Sequence, residues 1–253
     1  MPSLDRARWW LDRHRLRGIE PTPLLAARLA ARRAGIRAEI ATIAIVILGM
    51  LAWSFVVRWG KGSDDPGAGD FAWLASFYVA LIAGMAVGFW WQRRTEQPLL
   101  AAMTVRSAHP AATSPVRLLG RRRLTAAIAV NGGGLVVGVA VAVLATTERE
   151  RAIGLAVLVG VAVLATLGTL ILAIVLRRPS LAEDSDSLAV DDRLRLEDAK
   201  RALVPYALPI GLIAALDSTL SPLVAWLFRG YVVAAAICFV LGERCRERVT
   251  VTQ

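Results

Sequence analysis

Between Ala152 and Leu176 the chain reads AIGLAVLVGVAVLATLGTLILAIVL, and none of these residues carries a charge. As an α-helix this segment would be about 37 Å long, whereas the hydrocarbon core of a bilayer is about 30 Å thick. Three more stretches combine similar length with similar composition: residues 40–57, 71–91 and 124–146. The sequence therefore predicts a protein that crosses the membrane several times as α-helices.

The apolar region near the C-terminal end is interrupted. Residues 202–217 and 222–242 are mostly apolar, although they contain Asp217 and Arg229, and a short polar segment lies between them. We interpret these two arms as a tight hairpin of two spans. The alternative is one span preceded by a buried half-helix, because the first arm is short and contains Pro205 and Pro209. The predicted fold class is all-α, a polytopic transmembrane helical bundle of about six spans within residues 40–242.

Basic residues lie between the apolar blocks, and the net charge is +10. Arginine is concentrated before the first block, between the second and third, between the fourth and fifth, and after the last, in residues 1–39, 92–123, 177–201 and 243–253. The other connections hold few bases, which agrees with the positive-inside rule if both termini are cytoplasmic. The basic residues are not spread over one face of a folded domain, so nucleic acid is not an expected partner.

Residue usage indicates the compartment. Arginine outnumbers lysine, and Ala, Val, Leu and Gly dominate, which is typical of a GC-rich bacterial genome. We therefore expect the bacterial plasma membrane. Cys238 and Cys245 are the only cysteines, so a disulfide framework is not expected.

The basic N-terminal arm, residues 1–39, is predicted to form two short helices. The first is amphipathic and is expected to lie on anionic lipid. The predicted lipid-surface anchor consists of Trp9, Trp10, Arg6, Arg13 and Arg17. In the second helix Arg32 lies close to the apolar face formed by Leu25 and Leu29. This face is therefore not purely apolar and is less suited to contact with the membrane. The alternative is a solvated arm that only sets the topology.

An Asn-Gly-Gly-Gly stretch lies inside the third apolar block. Three glycines weaken a helix and expose backbone carbonyls, and such a break can bind an ion or substrate in a transporter. The first part of a candidate intramembrane polar site is therefore Asn131, Gly132, Gly133 and Gly134. The alternative is close helix packing through small-xxx-small pairs. These pairs are Gly134 with Gly138, and Gly84 with Gly88.

Arg229 lies about seven residues into the last apolar block, where an unpaired charge is costly. Asp217 is the nearest carboxylate in the sequence. We predict that Arg229 and Asp217 pair across the hairpin turn and complete the candidate polar site. The alternative is that they line an ion or substrate pathway.

Catalytic and metal-binding motifs are not found in the sequence. His14 and His109, the only histidines, lie outside the apolar blocks, so no His-rich metal site or Ser-His-Asp triad can form within the membrane. The acidic run at Asp184 and Asp186 lacks the glycine and the final glutamate of a calcium loop. We expect no catalytic residue, no metal, no cofactor and no enzymatic activity.

In size, number of spans and orientation the chain resembles the type-2 permease subunits of ATP-binding-cassette exporters. Residues 23–37 would correspond to the interfacial helix that opens those permeases. Residues 92–123, ending in Ser114-Pro-Val-Arg-Leu-Leu-Gly-Arg-Arg-Arg123, would correspond to the connection offered to their ATPase. The chain departs from them between the last two spans, where they usually carry a longer outer segment.

These observations favour a non-catalytic membrane subunit of a transport system, permease-like, with energy supplied by a partner chain. The alternative is a non-transporting membrane scaffold or regulatory protein that binds a cytoplasmic partner. Expected partners are the lipid bilayer and a cytoplasmic protein such as an ATPase or a regulator, or a second copy of the chain.

Overall fold

The computed structural model describes residues 4–16, 18–61, 66–101, 107–109, 114–178, 180–182, 185–204, 207–217 and 219–244. The helices are α1 (Leu4–Arg13), α2 (Pro23–Lys61), α3 (Pro66–Ala101), α4 (Pro115–Leu119), α5 (Arg121–Leu144), α6 (Glu148–Arg177), α7 (Ser185–Ala202), α8 (Ala207–Leu216) and α9 (Pro222–Arg244). The fold is helical, as predicted. A short antiparallel pairing of β1 (Ser107–His109) with β2 (Ser180–Ala182) is an addition that the sequence did not indicate. Arg17, Pro205 and the tail beyond Arg244 lie outside the described residues.

Among the described residues, five helices are long and apolar enough to cross a membrane. They are Pro23–Trp53 in α2, Leu74–Leu99 in α3, Arg121–Leu144, Glu148–Arg177 and Pro222–Gly242 in α9. Their outer surfaces carry large apolar side chains, such as Ile45 and Trp226, which are 69% and 67% exposed. Such surfaces are stable when lipid covers them, so the chain has the character of a multi-pass membrane protein.

The helix α2 joins two elements that the sequence predicted as separate. It begins at Pro23, where the Thr22 hydroxyl accepts a hydrogen bond from the Leu25 amide at 3.2 Å. Residues 24–61 contain no proline, so nothing removes a backbone donor before Lys61. The expected second helix of the N-terminal arm is therefore the first part of a spanning helix.

The helix α8 has ten residues and is about 15 Å long, half of the hydrocarbon core. The Ala202 carbonyl oxygen, at the end of α7, lies close to Gly168 of α6. A Cβ built on Gly168 would be only 2.6 Å from this oxygen. After α8, Asp217 pairs with Arg149 in the first turn of α6 at 2.9 Å. Ala202 and Asp217 therefore lie beside distant parts of α6, the first near Gly168 and the second at its first turn.

Glycines allow the closest helix crossings. On α3, a Cβ at Gly88 would lie 3.0 Å from the Gly35 carbonyl oxygen of α2, and one at Gly84 would lie 2.5 Å from Ile43. Gly138 of α5 faces the α6 backbone in the same way. The close-packing interpretation of the predicted glycine pairs therefore agrees with the structure.

A second layer lies at the end of the bundle that holds the N-terminal arm. It comprises α1, the first part of α2, the last turns of α3 and α6, and α7, and it is called the polar layer below. Part of it is an apolar cluster that joins α1 to α2 and α7, with Trp10, Leu11, Leu25, Leu29 and Leu194 buried. This packing gives the layer its own core and positions its charged groups.

Candidate functional site

The helix α7 brings charged side chains to one face. Asp191, Arg195 and Asp198 follow each other at spacings of four and three residues, which places them on the same side of the helix. Leu194, on this side too, is fully buried, and Asp191 is only 1% exposed. The charged face of α7 is therefore directed into the polar layer, where each charge requires a partner.

Arg32 of α2 is the centre of the charged groups. Its Nη2 lies 2.5 Å from Asp198 Oδ2 and donates to the Leu194 carbonyl oxygen at 2.8 Å. Its Nε lies 3.3 Å from Glu96 Oε1 of α3, and its Nη1 lies 3.4 Å from Glu197 Oε2. The planar guanidinium thus uses its fork of donors to bind three carboxylates from two other helices.

A chain of ion pairs continues from Arg28, one helical turn before Arg32. Arg28 Nη2 lies 2.7 Å from Asp191 Oδ1, and Asp191 Oδ2 lies 3.1 Å from Arg195 Nε. Arg195 donates to the carbonyl oxygen of Arg178, which follows α6, at 2.5 Å. The Arg178 side chain lies 3.3 Å from Glu96 Oε2. The chain of contacts therefore closes back on Glu96, which also binds Arg32.

The contacts extend toward the apolar part of the bundle through Gln92 of α3. Its side-chain amide donates to Asp198 Oδ1 at 3.1 Å, and its oxygen accepts from Arg201 Nη1 at 3.3 Å. Arg201 also pairs with Glu39 of α2. Glu39 immediately precedes the apolar block that begins at Ile40, so these contacts reach the predicted membrane boundary.

His14 links the end of α1 to α7. Its Nδ1 accepts from Arg193 Nε at 2.9 Å, and its Nε2 lies 2.8 Å from Glu197 Oε1. A neutral imidazole with its proton on Nε2 satisfies both contacts. Burial raises the pKa of Glu197 above its ordinary value, although the positive charge of Arg32 acts in the opposite direction.

The central charges balance. We define the ion network as Arg28, Arg32, Arg178, Arg195 and Arg201 with Glu39, Glu96, Asp191, Glu197 and Asp198. It contains as many arginines as carboxylates, and every carboxylate in it contacts an arginine. In the part of the chain that the structure describes, no group of three or more His, Cys, Asp and Glu side chains could hold a metal ion. The arrangement fixes the relative positions of α2, α3, α6 and α7.

The predicted polar site around Asn131 is used for packing. The Asn131 side chain donates to the Ala127 carbonyl oxygen of its own helix at 2.9 Å. Gly133 and Gly134 face Tyr231 of α9, whose hydroxyl donates to the Val130 carbonyl oxygen at 3.2 Å. Gly132 has nothing within 4 Å of a Cβ position. The glycine segment therefore makes room for a tyrosine side chain.

The predicted pair of Asp217 with Arg229 is not what the structure shows. Asp217 binds Arg149, and it also accepts from the amide of Thr219 at 2.9 Å. Partial burial would raise the pKa of Asp217, but the hydrogen bonds from Thr219 and the charge of Arg149 hold it below its ordinary value. Arg229 donates to the Ala215 carbonyl oxygen at 3.3 Å and lies 5.4 Å from the centre of the Trp226 ring. Arg229 is about two turns into α9, whereas Asp217 lies at the end of the bundle with Arg149.

The structure places the residues of the predicted lipid-surface anchor in different surroundings. Trp10 is buried against the polar layer, so its ring is not available to lipid. Trp9 is 57% exposed, and the Arg13 guanidinium lies 5.2 Å from its ring centre. Arg6 lines a groove beside Trp9, and Arg17 is outside the described residues.

The ion network is not among the features predicted from the sequence. One signal was present, since Arg32 falls close to the apolar face of Leu25 and Leu29, and a charge on such a face requires a buried partner. Comparisons with models of protein families, with curated proteins and with solved structures find no match to this chain. The geometry of the ion network is therefore the basis for assigning a function to this chain.

Proposed function

We propose that this chain is a non-catalytic membrane scaffold whose polar layer faces the cytoplasm and holds a partner protein with an acidic surface. The observation that carries the proposal is the ion network, which fixes four helices of the layer in one arrangement. Because the network has no net charge, the net charge of +10 belongs to the rest of the chain. A rigid layer with excess positive charge is suited to binding an acidic surface.

The membrane part supports a static role. The polar groups of the bundle make hydrogen bonds to the protein itself: Asn131 to Ala127, Tyr231 to Val130 and Arg229 to Ala215. Polar residues that carry a substrate pathway usually face a cavity instead. Tyr231 and Arg229 are better explained as contacts that hold α9 to α5 and α8, and the Asn131 side chain is satisfied within α5.

The proposal includes six crossings, with both ends of the chain on the cytoplasmic side of a bacterial plasma membrane. The turn before α6 and the turn before α9 are joined by Arg149 with Asp217 and by Glu150, whose Oε1 accepts from the Ser221 amide at 2.7 Å. Near the opposite end, a Cβ on Gly242 of α9 would lie 3.0 Å from Ala126 of α5. These contacts favour a path in which residues 202–217 reach the outer side and α9 returns.

A partner on the polar layer can be tested by photo-crosslinking in living cells. A benzoyl-phenylalanine at the exposed Asp192 of α7, or at the exposed Val116 of α4, which packs beside the layer against α7, should capture the same protein. The yield in isolated membranes should fall as salt is raised from about 0.05 M to 0.5 M, since exposed charges are then screened. The same probe at Thr219, near the other end of the bundle, is the control. Capture of different proteins from the two positions, or a yield independent of salt, would contradict the proposal.

A permease-like subunit of a transport system is the second candidate. The observation that favours it is α8, because helices too short to cross the membrane are typical of substrate sites in transporters. Here the energy source would be on the partner chain. The two candidates differ in whether water enters the bundle.

Accessibility to a membrane-impermeant thiol reagent separates these two candidates. In a Cys238→Ser/Cys245→Ser background, Val161→Cys and Val224→Cys place thiols at positions that are 1% and 0% exposed. We expect neither to be labelled in a scaffold, from either side of the membrane. Glu148→Cys is the control and should be labelled from outside. Labelling of Val161→Cys or Val224→Cys would indicate a water-filled route and favour the permease.

A further inference from the structure

The helix α2 carries two pairs of arginines with opposite surroundings. Arg28 and Arg32 are directed inward and belong to the ion network. Arg33 and Arg37 are on the other side, because each residue turns the helix by about 100°. This side is shared by Ile36 and Ile40, which are 43% and 61% exposed and continue into the lipid-facing surface of α2. Arg33 and Arg37 therefore lie on the stripe of α2 that faces the membrane.

Residues of α1 complete a groove with this pair. Arg33 and Arg37 line a cavity of about 650 Å³ together with Asp5, Arg6 and the exposed Trp9. Its size is within the range of about 300 to 1,000 Å³ that is usual for small-molecule sites. The groove is open, and two separate helices contribute to it.

The groove has an unbalanced positive charge. Three of its five lining side chains are arginines, and Asp5 is the only carboxylate among the five. Arg33 is near enough to Arg6 and Arg37 for their positive charges to act on it. In the described part of the chain, no carboxylate lies within 4.0 Å of the guanidinium of Arg6, Arg33 or Arg37. Like charges held this close favour the binding of an anion between them.

The depth of the groove matches the lipid headgroups. Arg37 precedes Ile40, where the apolar block begins, by three residues, or about 4.5 Å along the helix. Arg33 is about 10 Å from the same point. The headgroup region on each side of a bilayer is about 5 to 8 Å thick, so the two arginines bracket the level of the phosphates.

We propose that this groove binds the headgroup of an anionic phospholipid. Arg6, Arg33 and Arg37 bind the phosphate oxygens, for which the guanidinium fork is well suited, while Trp9 lies at the interface between headgroups and acyl chains. The acyl chains extend along Ile36 and Ile40 of α2. The site is independent of the proposed scaffold role, since it uses none of the residues of the ion network.

The test is lipid binding to the full-length chain in mild detergent, measured by native mass spectrometry with phosphatidylglycerol or phosphatidylcholine. We expect the chain to bind phosphatidylglycerol in preference. An Arg33→Gln/Arg37→Gln variant should bind it about 25-fold more weakly, since each base near an anionic surface contributes about a factor of five. Arg6→Gln, on α1, should weaken binding about fivefold and does not depend on the folding of an altered α2.

The control is Arg117→Gln/Arg121→Gln, which removes two exposed arginines of α4 and α5 and the same amount of charge. This control should bind phosphatidylglycerol as the parent does, within about twofold, because these bases are outside the groove. Equal losses in the two double variants would overturn the proposal, as would equal binding of both lipids. Displacement of phosphatidylglycerol by millimolar inorganic phosphate would also overturn it, because the site would then accept a soluble anion.

Discussion

Replacing Arg32 by alanine is expected to lower the free energy of unfolding by about 3 to 5 kcal/mol, because the change leaves buried carboxylates without their cation. Glu96, the most buried of these, is 1% exposed. Arg32 also binds Glu197 and Asp198 and the carbonyl of Leu194, so the change separates α2 from both α3 and α7. The measurement is denaturant unfolding of the purified chain in mixed micelles, together with the amount of folded protein in the membrane.

The neighbouring Arg33→Ala is the matched control, since it removes the same side chain from the lipid-facing side of α2. A change of less than about 0.5 kcal/mol is expected there, because Arg33 is only partly buried and makes no ion pair with a carboxylate of the described residues. A double-mutant cycle adds a second criterion. Glu96→Gln should cost less in the Arg32→Ala background than in the parent, because the charge it removes has already lost a partner. Equal effects of Arg32→Ala and Arg33→Ala would show that the ion network does not hold the layer together.

Much of the fold could be predicted because the membrane imposes a local rule. Each apolar block had to be helical and of membrane length, whatever its neighbours. Residues 40–57, 71–91, 124–144, 152–176 and 222–242 lie in α2, α3, α5, α6 and α9, and only the last two residues of the predicted block 124–146 follow the end of α5. The continuity of α2 through Arg28 and Arg32 was not predicted. It depends on Asp191 and Asp198, which are more than 160 residues away in the chain. No local pattern contains that information.

The partners of the polar residues could not be predicted from local sequence either. The sequence indicated that Asp217 and Arg229 each require a partner, and both have one in the structure. Proximity along the chain suggested that they bind each other. Arg149 is 68 residues from Asp217 and still lies beside it, because the turns before α6 and α9 meet at one end of the bundle. The cost of an unpaired charge could be deduced from sequence, but the identity of its partner required the helix arrangement.

The crossing of α5 and α6 depends on Gly154. A Cβ at this position would lie 2.5 Å from the backbone nitrogen of Ala142 and 3.0 Å from the carbonyl oxygen of Gly138. Both are backbone atoms, which cannot rotate away as the end of a side chain can. On the same α5, Gly132 has nothing within 4 Å of its Cβ position. The two glycines therefore differ in packing while both lie in spanning helices.

Gly154→Ala is thus expected to destabilise the chain by about 1 to 3 kcal/mol, because α5 and α6 must move apart to admit one methyl group. Gly132→Ala, the matched control, should leave the free energy of unfolding unchanged or raise it by up to about 1 kcal/mol, since alanine is the better helix former. Denaturant unfolding in mixed micelles measures both. Separating α5 from α6 should also weaken the contact between the first turn of α6 and the turn before α9. The amide of Ser221, which donates to Glu150, should therefore exchange its hydrogen faster in Gly154→Ala. If the two alanine variants unfold alike, the two helices do not cross at Gly154, and the order of the bundle has to be revised.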